Sequence, residues 1–272
     1  MQRVQYLRSL LFVPASSPDR FSRALATDAD HVILDLEDSV LPDRKAQARD
    51  NIAAFLEASP ETKLIVRING TDSPEFVHDL MLCEANPGIV GILLPKTETS
   101  ADVEKAAGTG KSVWPLIETA KGLLNLSHIS CAEGVDRLTF GAVDLAANLR
   151  LRPGSQGARK VLDEVRVKLV LHSSAAGLAP PVESVTTDIR DMAQTRANAL
   201  MAYSMGMRGM LCIHPNQVPV ANEVFEPSQD EIAWAKRVLG HPYKEGAFEL
   251  DGQMIDAPVI ARANAILEQT PR

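Results

Sequence analysis

The stretch "VWPLIETAKG", Val113–Gly122, runs from an apolar β-rich segment straight into a helical one, with a glutamate at the junction. Val113, Trp114, Leu116 and Ile117 make a continuous apolar run, the pattern of a strand covered on both faces in a parallel sheet. Glu118 stands where that run stops. A carboxylate there either favours the dipole of the helix that follows or is a ligand at the end of a core strand.

The same strand-then-helix unit recurs along the chain. Strands are predicted at Leu10–Val13, Val32–Leu36, Leu64–Ile68, Gly91–Leu94, Val113–Ile117, Arg137–Phe140, Val182–Val185 and Gly209–Ile213. Helices are predicted at Asp19–Thr27, Lys45–Ala58, Ser73–Cys83, Ser100–Ala107, Ala120–Ile129, Ala158–Ala176 and Thr186–Met205. Asp19 and Ser100 read as N-caps, and Gly177 and Gly206 as helix stops. Eight such units in 272 residues point to an α/β chain folded as a (β/α)8 TIM barrel, which takes roughly 250 residues. An open doubly wound sheet would follow its first strand with a glycine-rich turn; here the turn reads Pro14-Ala15-Ser16-Ser17-Pro18.

After the last strand, Pro215, Pro219, Pro227 and Pro242 punctuate the tail. Ser228–Leu239 and Ala257–Gln269 read as helices on either side of a loop-like Gly240–Asp256. The expected organisation is a barrel over residues 1–225 and a C-terminal helical lid or arm over residues 226–272, packing on a neighbouring subunit.

Composition narrows the function classes. At 45% hydrophobic and 23% charged, the chain is ordinary globular material. A formal net charge of −7 argues against a nucleic-acid partner and gives no reason to expect a membrane surface. No apolar run is long enough for a bilayer, and no leader pattern opens the sequence. Cys83, Cys131 and Cys212 stand singly, which suits a cytoplasmic location.

In a barrel of this kind, chemistry belongs at the C-terminal ends of the strands. Those ends carry Asp35, Glu37 and Asp38 after strand two, Arg67 and Asn69 after three, Lys96 after four, Glu118 after five, Asp144 after six, and His214 and Asn216 after eight. Taken singly, each has a structural reading. Asp35, Glu37 and Asp38 suit a helix cap or a basic neighbour, Lys96 a surface position, and His214 before proline a hydrogen-bonded corner. Glu118 and Asp144 leave adjacent strands, so their carboxylates would converge and repel unless a cation lay between them. Hard oxygen ligands with no thiol or histidine pair nearby suit Mg2+ or Mn2+. Arg67, two strands away, would complement an anionic substrate or a developing oxyanion.

Longer strings carry a resemblance. "RSLLFVPASSPDR", "VILDLEDSV", "IVRING", "GILLPK", "PLIETAKGLLN", "LTFGAVDLAANL", "CIHPNQ" and "GQMIDAP" occur in order from Arg8 to Pro258. The chain resembles the citrate lyase β-subunit-like family, within the HpcH/HpaI aldolases and malyl-CoA lyases. The resemblance implies a Mg2+-dependent carbon–carbon lyase acting on 3-hydroxy-acyl-CoA thioesters, with CoA as part of the substrate and a homo-oligomer (trimer or hexamer) as the working form. It puts the metal on Glu118 and Asp144, with Glu37 and Asp38 supporting the metal's water. It makes Arg67 catalytic and brings Arg67 and Glu118 to the substrate. It makes Asp256 a catalytic acid delivered across a subunit boundary.

Two departures bear on substrate choice. Many relatives have glycine where this chain has Ala15, and two glycines where it has Gly141-Ala142; each change is expected to add a methyl near the ligand pocket. Citramalyl-CoA, citryl-CoA and malyl-CoA all remain open. So do a malyl-CoA thioesterase or synthase on the same site, a Schiff-base aldolase on Lys96, and a non-catalytic subunit.

Overall fold

A computed structural model describes residues 7–241 and 246–269 of the chain. Pro242 lies outside the described residues. Seven parallel strands form one curled sheet: β1 (Ser9–Pro14), β2 (His31–Asp35), β3 (Leu64–Arg67), β4 (Ile89–Leu94), β5 (Ser112–Ile117), β6 (Thr139–Phe140) and β7 (Met210–Cys212). Their spatial order is β6-β5-β4-β3-β2-β1-β7. Helices α1 (Phe21–Leu25), α2 (Lys45–Ala58), α3 (Phe76–Ala85), α4 (Ser100–Ala107), α5 (Ala120–Leu124), α6 (Leu126–Ser130), α7 (Ala142–Asn148), α8 (Gln156–Ala175), α9 (Met192–Ser204) and α10 (Gln217–Phe225) follow or separate the strands. The result is an α/β fold with the curl of a TIM-like barrel.

The strand expected at Val182–Val185 is reduced to two parallel bridges. Val182 pairs with Thr139 of β6, and Glu183 pairs with Met210 of β7, so this segment spans the two edges of the sheet. Glu183 N donates to Gly209 O at 3.0 Å and Leu211 N donates to Glu183 O at 2.9 Å. The preceding Pro180 and Pro181 have no N–H to offer a ladder, which shortens the pairing.

Strand alternation sorts the core into two. Leu10, Ile33, Ile65, Leu93, Trp114, Leu116, Val182 and Leu211 face inward and pack together inside the curl. Leu11, Val13, Val32, Leu34, Val66, Ile92, Leu94, Val113 and Ile117 face outward against the helices. Ala15 belongs to that outer core and is fully buried. Its methyl is therefore packing material between sheet and helices, not the pocket substituent expected from the sequence.

Helix boundaries follow local chemistry more finely than the apolar pattern does. Thr99, not Ser100, caps α4, with Asp102 completing a capping box. Asp19 is no cap: it sits inside a short 3-10 turn, Pro18–Arg20, ahead of α1. The helix expected over Ala120–Ile129 breaks into α5 and α6 at Asn125, whose Nδ2 donates to Glu98 O at 2.9 Å. Asp191 caps α9, so residues 186–191 are loop. Gly177 (φ +65°) and Gly206 (φ +98°) do terminate helices in the left-handed region.

Beyond α10 come α11 (Gln229–Gly240), a two-stranded antiparallel ribbon of β8 (Phe248–Leu250) and β9 (Gln253–Ile255), and α12 (Ala257–Glu268). The ribbon replaces part of the expected loop. Asp251 (φ +53°) and Gly252 (φ +77°) make its two-residue turn, the Asp-Gly pair that such hairpins favour. Ile232, Ala235, Val238, Ile255, Ala263 and Ile266 form a small core of their own. Arg208 Nε donates to Gln269 Oε1 at 2.8 Å, and Tyr203 Oη lies 3.5 Å from Glu231 Oε1. Both barrel residues precede β7, so these bonds tie the segment to the rim opposite the C-terminal strand ends. Among the described residues, no helix is long and apolar enough to cross a membrane.

Candidate active site

The inward alternation does not stop where the apolar residues stop. Ile33 and Asp35 share one face of β2, and Ile65 and Arg67 share one face of β3. Trp114, Leu116 and then Glu118 continue the inner face of β5. The last inward position on each of these strands is charged, and Asp35 and Glu118 are each 2% exposed. Arg67 keeps 15% of its side chain exposed.

Arg67 is held from three sides. Its Nε and Nη2 donate to Asp35 Oδ1 and Oδ2, both at 2.6 Å, a two-pronged pair. Its Nη1 lies 3.1 Å from Glu37 Oε2, and its guanidinium carbon sits 4.9 Å from the centre of the Phe12 ring. Burial alone would lower the Arg67 pKa, but the bonds and charge of Asp35, with Glu37 and Glu118, raise it, so the cation is permanent.

Glu118 faces the opposite situation. Its Oε1 accepts one bond, from Lys96 N at 2.8 Å. Burial, then the charges of Glu37 and Asp144, push its pKa up to about 8 against the pull of Lys96. Gly141 makes the carboxylate's place possible: a Cβ there would stand 2.3 Å from Glu118 Oε2 and 3.0 Å from Glu118 Cβ. Gly122, in α5, lets the helix pack on the turn after β4, where a Cβ would meet Thr97 O at 2.3 Å.

Asp144 lies four residues past β6, in the first turn of α7, and its side chain is exposed. It therefore acts on Glu118, through its charge, from a helix and not from the strand end expected. Ala142 N donates to Ser184 Oγ at 2.9 Å, which anchors the start of that helix.

Glu37 is buried and Asp38 exposed. Lys96 Nζ pairs with Glu37 Oε1 and lies 3.6 Å from Asp38 Oδ1. Burial raises the Glu37 pKa against Arg67 and Lys96. Glu37 Oε2 finds no aligned donor among the described residues, the ion-pair distance to Arg67 notwithstanding. Lys96 itself has φ +49°. Burial would lower its pKa, but Glu37, Asp38 and Glu118 carry it above the ordinary lysine value. A Schiff-base lysine needs the reverse shift.

The chain could hold a divalent cation here. Among the described residues no three His, Cys, Asp or Glu side chains form a ready cluster. Two carboxylates with water or substrate oxygens completing the shell still suit Mg2+. Glu37 Oε2 without an aligned donor, and a Glu118 pKa raised first by burial and then by neighbouring carboxylates, are what a cation held there would relieve.

Lys45, Arg49 and Asp79 were not legible as site residues. Lys45 Nζ donates to Leu36 O (2.8 Å), Glu37 O (3.0 Å) and Asn69 Oδ1 (2.6 Å), clamping the turn that carries Glu37 and Asp38. Buried Asp79 accepts from Asn69 Nδ2 at 2.6 Å and from Arg49 Nη1 at 2.9 Å. A pocket of about 220 Å³ opens beside this network, with Lys45, Asn69, Asp72 and Lys96 among its lining. Asn216 N donates to His214 Nδ1 at 3.1 Å, the hydrogen-bonded corner. Asp256 caps α12, its Oδ1 accepting from Val259 N at 3.3 Å. Among the described residues, no hydrogen bond or ion pair joins it to Arg67, Glu118 or Asp144.

A barrel with charged inner ends on β2, β3 and β5 matches a known sequence family, described as HpcH/HpaI aldolase/citrate lyase, over residues 8–215. The chain belongs to this family. Among relatives, it is 36% identical to a citrate lyase subunit beta-like protein of Mycobacterium tuberculosis, over 95% of this chain and 94% of that one. It is 34% identical to an L-malyl-CoA/beta-methylmalyl-CoA lyase of Cereibacter sphaeroides, over 96% and 94%. Among solved structures, M. tuberculosis CitE in complex with magnesium, acetoacetate and coenzyme A superposes with a TM-score of 0.83 at 34% identity. That match covers 97% of this chain and 98% of the other. The family match thus spans the barrel, and the three near full-length matches extend the likeness through the C-terminal segment.

Proposed function

We propose that this member of the HpcH/HpaI aldolase/citrate lyase family is a Mg2+-dependent carbon–carbon lyase that cleaves a 3-hydroxy-acyl-CoA thioester to acetyl-CoA and a 2-oxo acid. The carrying observation is Glu118: a buried carboxylate at the inner end of a barrel strand, its pKa raised by burial and by the charges of Glu37 and Asp144. Support comes from M. tuberculosis CitE, described with magnesium and coenzyme A, and from the malyl-CoA lyase relative.

In this reading Glu118 and Asp144 hold the cation, Mn2+ being an alternative to Mg2+. When bound, it supplies Lewis acidity to a substrate carboxylate and hydroxyl. Glu37 and Asp38 would orient its water. Lys96 holds Glu37 in place and donates its own N–H to Glu118, which fixes the carboxylate's direction. Arg67 faces the thioester. As the hydroxyl passes its proton to water, the bond between its carbon and the thioester's α-carbon breaks, leaving the carbonyl of the 2-oxo acid and a thioester enolate. The permanent charge of Arg67 stabilises the enolate oxygen. An acid then returns one proton to the enolate carbon, giving acetyl-CoA.

Asp256 is proposed as that acid, acting on a neighbouring subunit. The bonds from Arg208 and Tyr203 seat the C-terminal segment at the far rim of its own barrel, which favours delivery to another copy. This gives residues 1–225 as barrel, 226–272 as lid, and a closed homo-oligomer such as a trimer. Citramalyl-CoA or citryl-CoA is the favoured substrate, with pyruvate or oxaloacetate as the co-product.

The test is a panel of citramalyl-, citryl- and malyl-CoA assayed with Mg2+, with chelator, and with Mg2+ restored. Cleavage of at least one, lost and regained with the metal, is expected. Release of free CoA without acetyl-CoA would favour a thioesterase. Activity that survives chelation would overturn the metal's role.

A further inference from the structure

Arg67 and Asp35 are register partners on adjacent parallel strands, β3 and β2. Both are the last inward side chain of their strand, so neither can turn away without leaving the barrel face. The pair is bidentate, with both bonds at 2.6 Å, and Asp35 is 2% exposed. Asp35 also accepts from Glu37 N at 2.9 Å and Ser39 N at 3.3 Å. One buried carboxylate thus sets both the plane of the guanidinium and the start of the turn that carries Glu37.

We propose that Asp35 is a positioning residue that acts through Arg67, fixing the orientation in which Nη1 faces the substrate. The proposal rests on the lyase reading above. Arg67 has five N–H groups in a planar fork, and Asp35 takes the Nε and Nη2 edge. Only the Nη1 side then points toward Glu37 and the mouth. The ring of Phe12 beneath the plane blocks tilting. Without Asp35 the guanidinium keeps its charge but can rotate about its last bonds, and Glu37, already 3.1 Å from Nη1, would compete for it.

The experiment pairs Asp35→Asn with Arg67→Lys and the double variant, in the Mg2+-loaded enzyme on the cleaved CoA thioester. Asparagine keeps the size and one acceptor but presents N–H groups to Nη2. The expected result is a fall in kcat on the order of 10²-fold, as for an ångström-scale misplacement. KM and the Mg2+ concentration for half-activation should stay within about twofold, and Asp35→Asn should add less than about twofold in the Arg67→Lys background. Multiplying losses, or a shifted Mg2+ half-activation with kcat unchanged, would overturn the proposal and assign Asp35 to the Glu37 turn. The Arg67 Nε–H resonance, assigned by its absence in Arg67→Lys, gives a readout without substrate. It should be protected from exchange in the wild type and lose that protection in Asp35→Asn; an unmoved signal overturns the pairing. If Arg67→Lys is fully active, the lyase reading of Arg67 fails, and the resonance still decides whether Asp35 holds the guanidinium. Should Asp35→Asn not fold, Asp35→Glu, which moves both oxygens by one methylene, gives the same two readouts.

Discussion

The inner rim of β2, β3 and β5 and the segment after α10 place their acids in opposite ways. Asp35 and Glu118 are buried, cross-linked to residues on neighbouring strands, and continuous with the packed interior. Asp256 is half-buried, takes one bond from its own helix, and rides on a separate small core. At the rim, the face from which a side chain leaves is a consequence of strand alternation, and it holds as long as the barrel is folded. In the tail, the acid's place depends on how a satellite core is seated. A position fixed by alternation needs no partner; a position carried on a satellite can be offered to one.

The largest expected effect tests that contrast at the tail. Asp256→Ala should lower kcat on the order of 10³-fold, within the range for loss of a proton donor, while leaving the barrel's thermal transition nearly unchanged. Mixing it with Glu118→Ala protein under subunit exchange should restore activity, because some sites then combine an intact rim with an intact tail. Exchange without recovery, or a fully active Asp256→Ala, would make the aspartate a helix cap and nothing more.

At the rim, Arg67→Lys should cost roughly 10²–10³-fold, mostly in kcat, the size seen when an oxyanion donor is removed. Lysine keeps the charge but cannot make the fork to Asp35. A raised KM with normal kcat would demote Arg67 to ground-state binding.

Gly141→Ala sharpens the same side of the comparison with one methyl. Its Cβ would stand 2.3 Å from Glu118 Oε2, and the backbone there is already in an ordinary region (φ −94°). The carboxylate must move, and a loss of about 10²-fold is expected for a shift on this scale. A crystal structure with Glu118 unmoved, or full activity, would show the rim to be more forgiving than its packing indicates.

The smallest effect is a proton. The Glu118 pKa rises from the model-peptide value of 4.5 to about 8 in the metal-free fold, so between those values the folded chain keeps a proton that the unfolded chain has lost. Stability of the metal-free protein should therefore fall as pH rises through that window. Adding Mg2+ near pH 7 should release close to one proton per site, measurable by calorimetry in buffers of different ionisation enthalpy. Release that persists in Glu118→Gln would assign the proton elsewhere.

Much of the barrel was legible in the chain because its strands are local signals. Continuous apolar runs such as Ile89–Leu94 and Ser112–Ile117 announce buried strands, and counting by twos from Ile65 or Leu116 puts Arg67 and Glu118 on the inner face. The bridge at Val182 and Glu183 was overstated as a full strand, because β-branched residues signal pairing without saying how much ladder the neighbours leave. The Asp-Gly hairpin at residues 251 and 252 was in plain view, but its flanking strands are three residues each, too short for a clear alternation. The helix break at Asn125 depends on a carbonyl 27 residues away, which no local pattern contains.

That charged residues gather at the C-terminal ends of the strands can be read from the chain alone, since alternation and strand length are properties of a few consecutive residues. Which of them meet is settled by the folded barrel. The pairing of Arg67 with Asp35 spans 32 positions and that of Lys96 with Glu37 spans 59. Both depend on strand register and on the curl of the sheet. The same is true of the space that Gly141 leaves for Glu118, and of Lys45 reaching back to hold the turn at Glu37. Register and curl are set by the whole core at once, so partners across the barrel are fixed by packing that no single stretch of chain encodes.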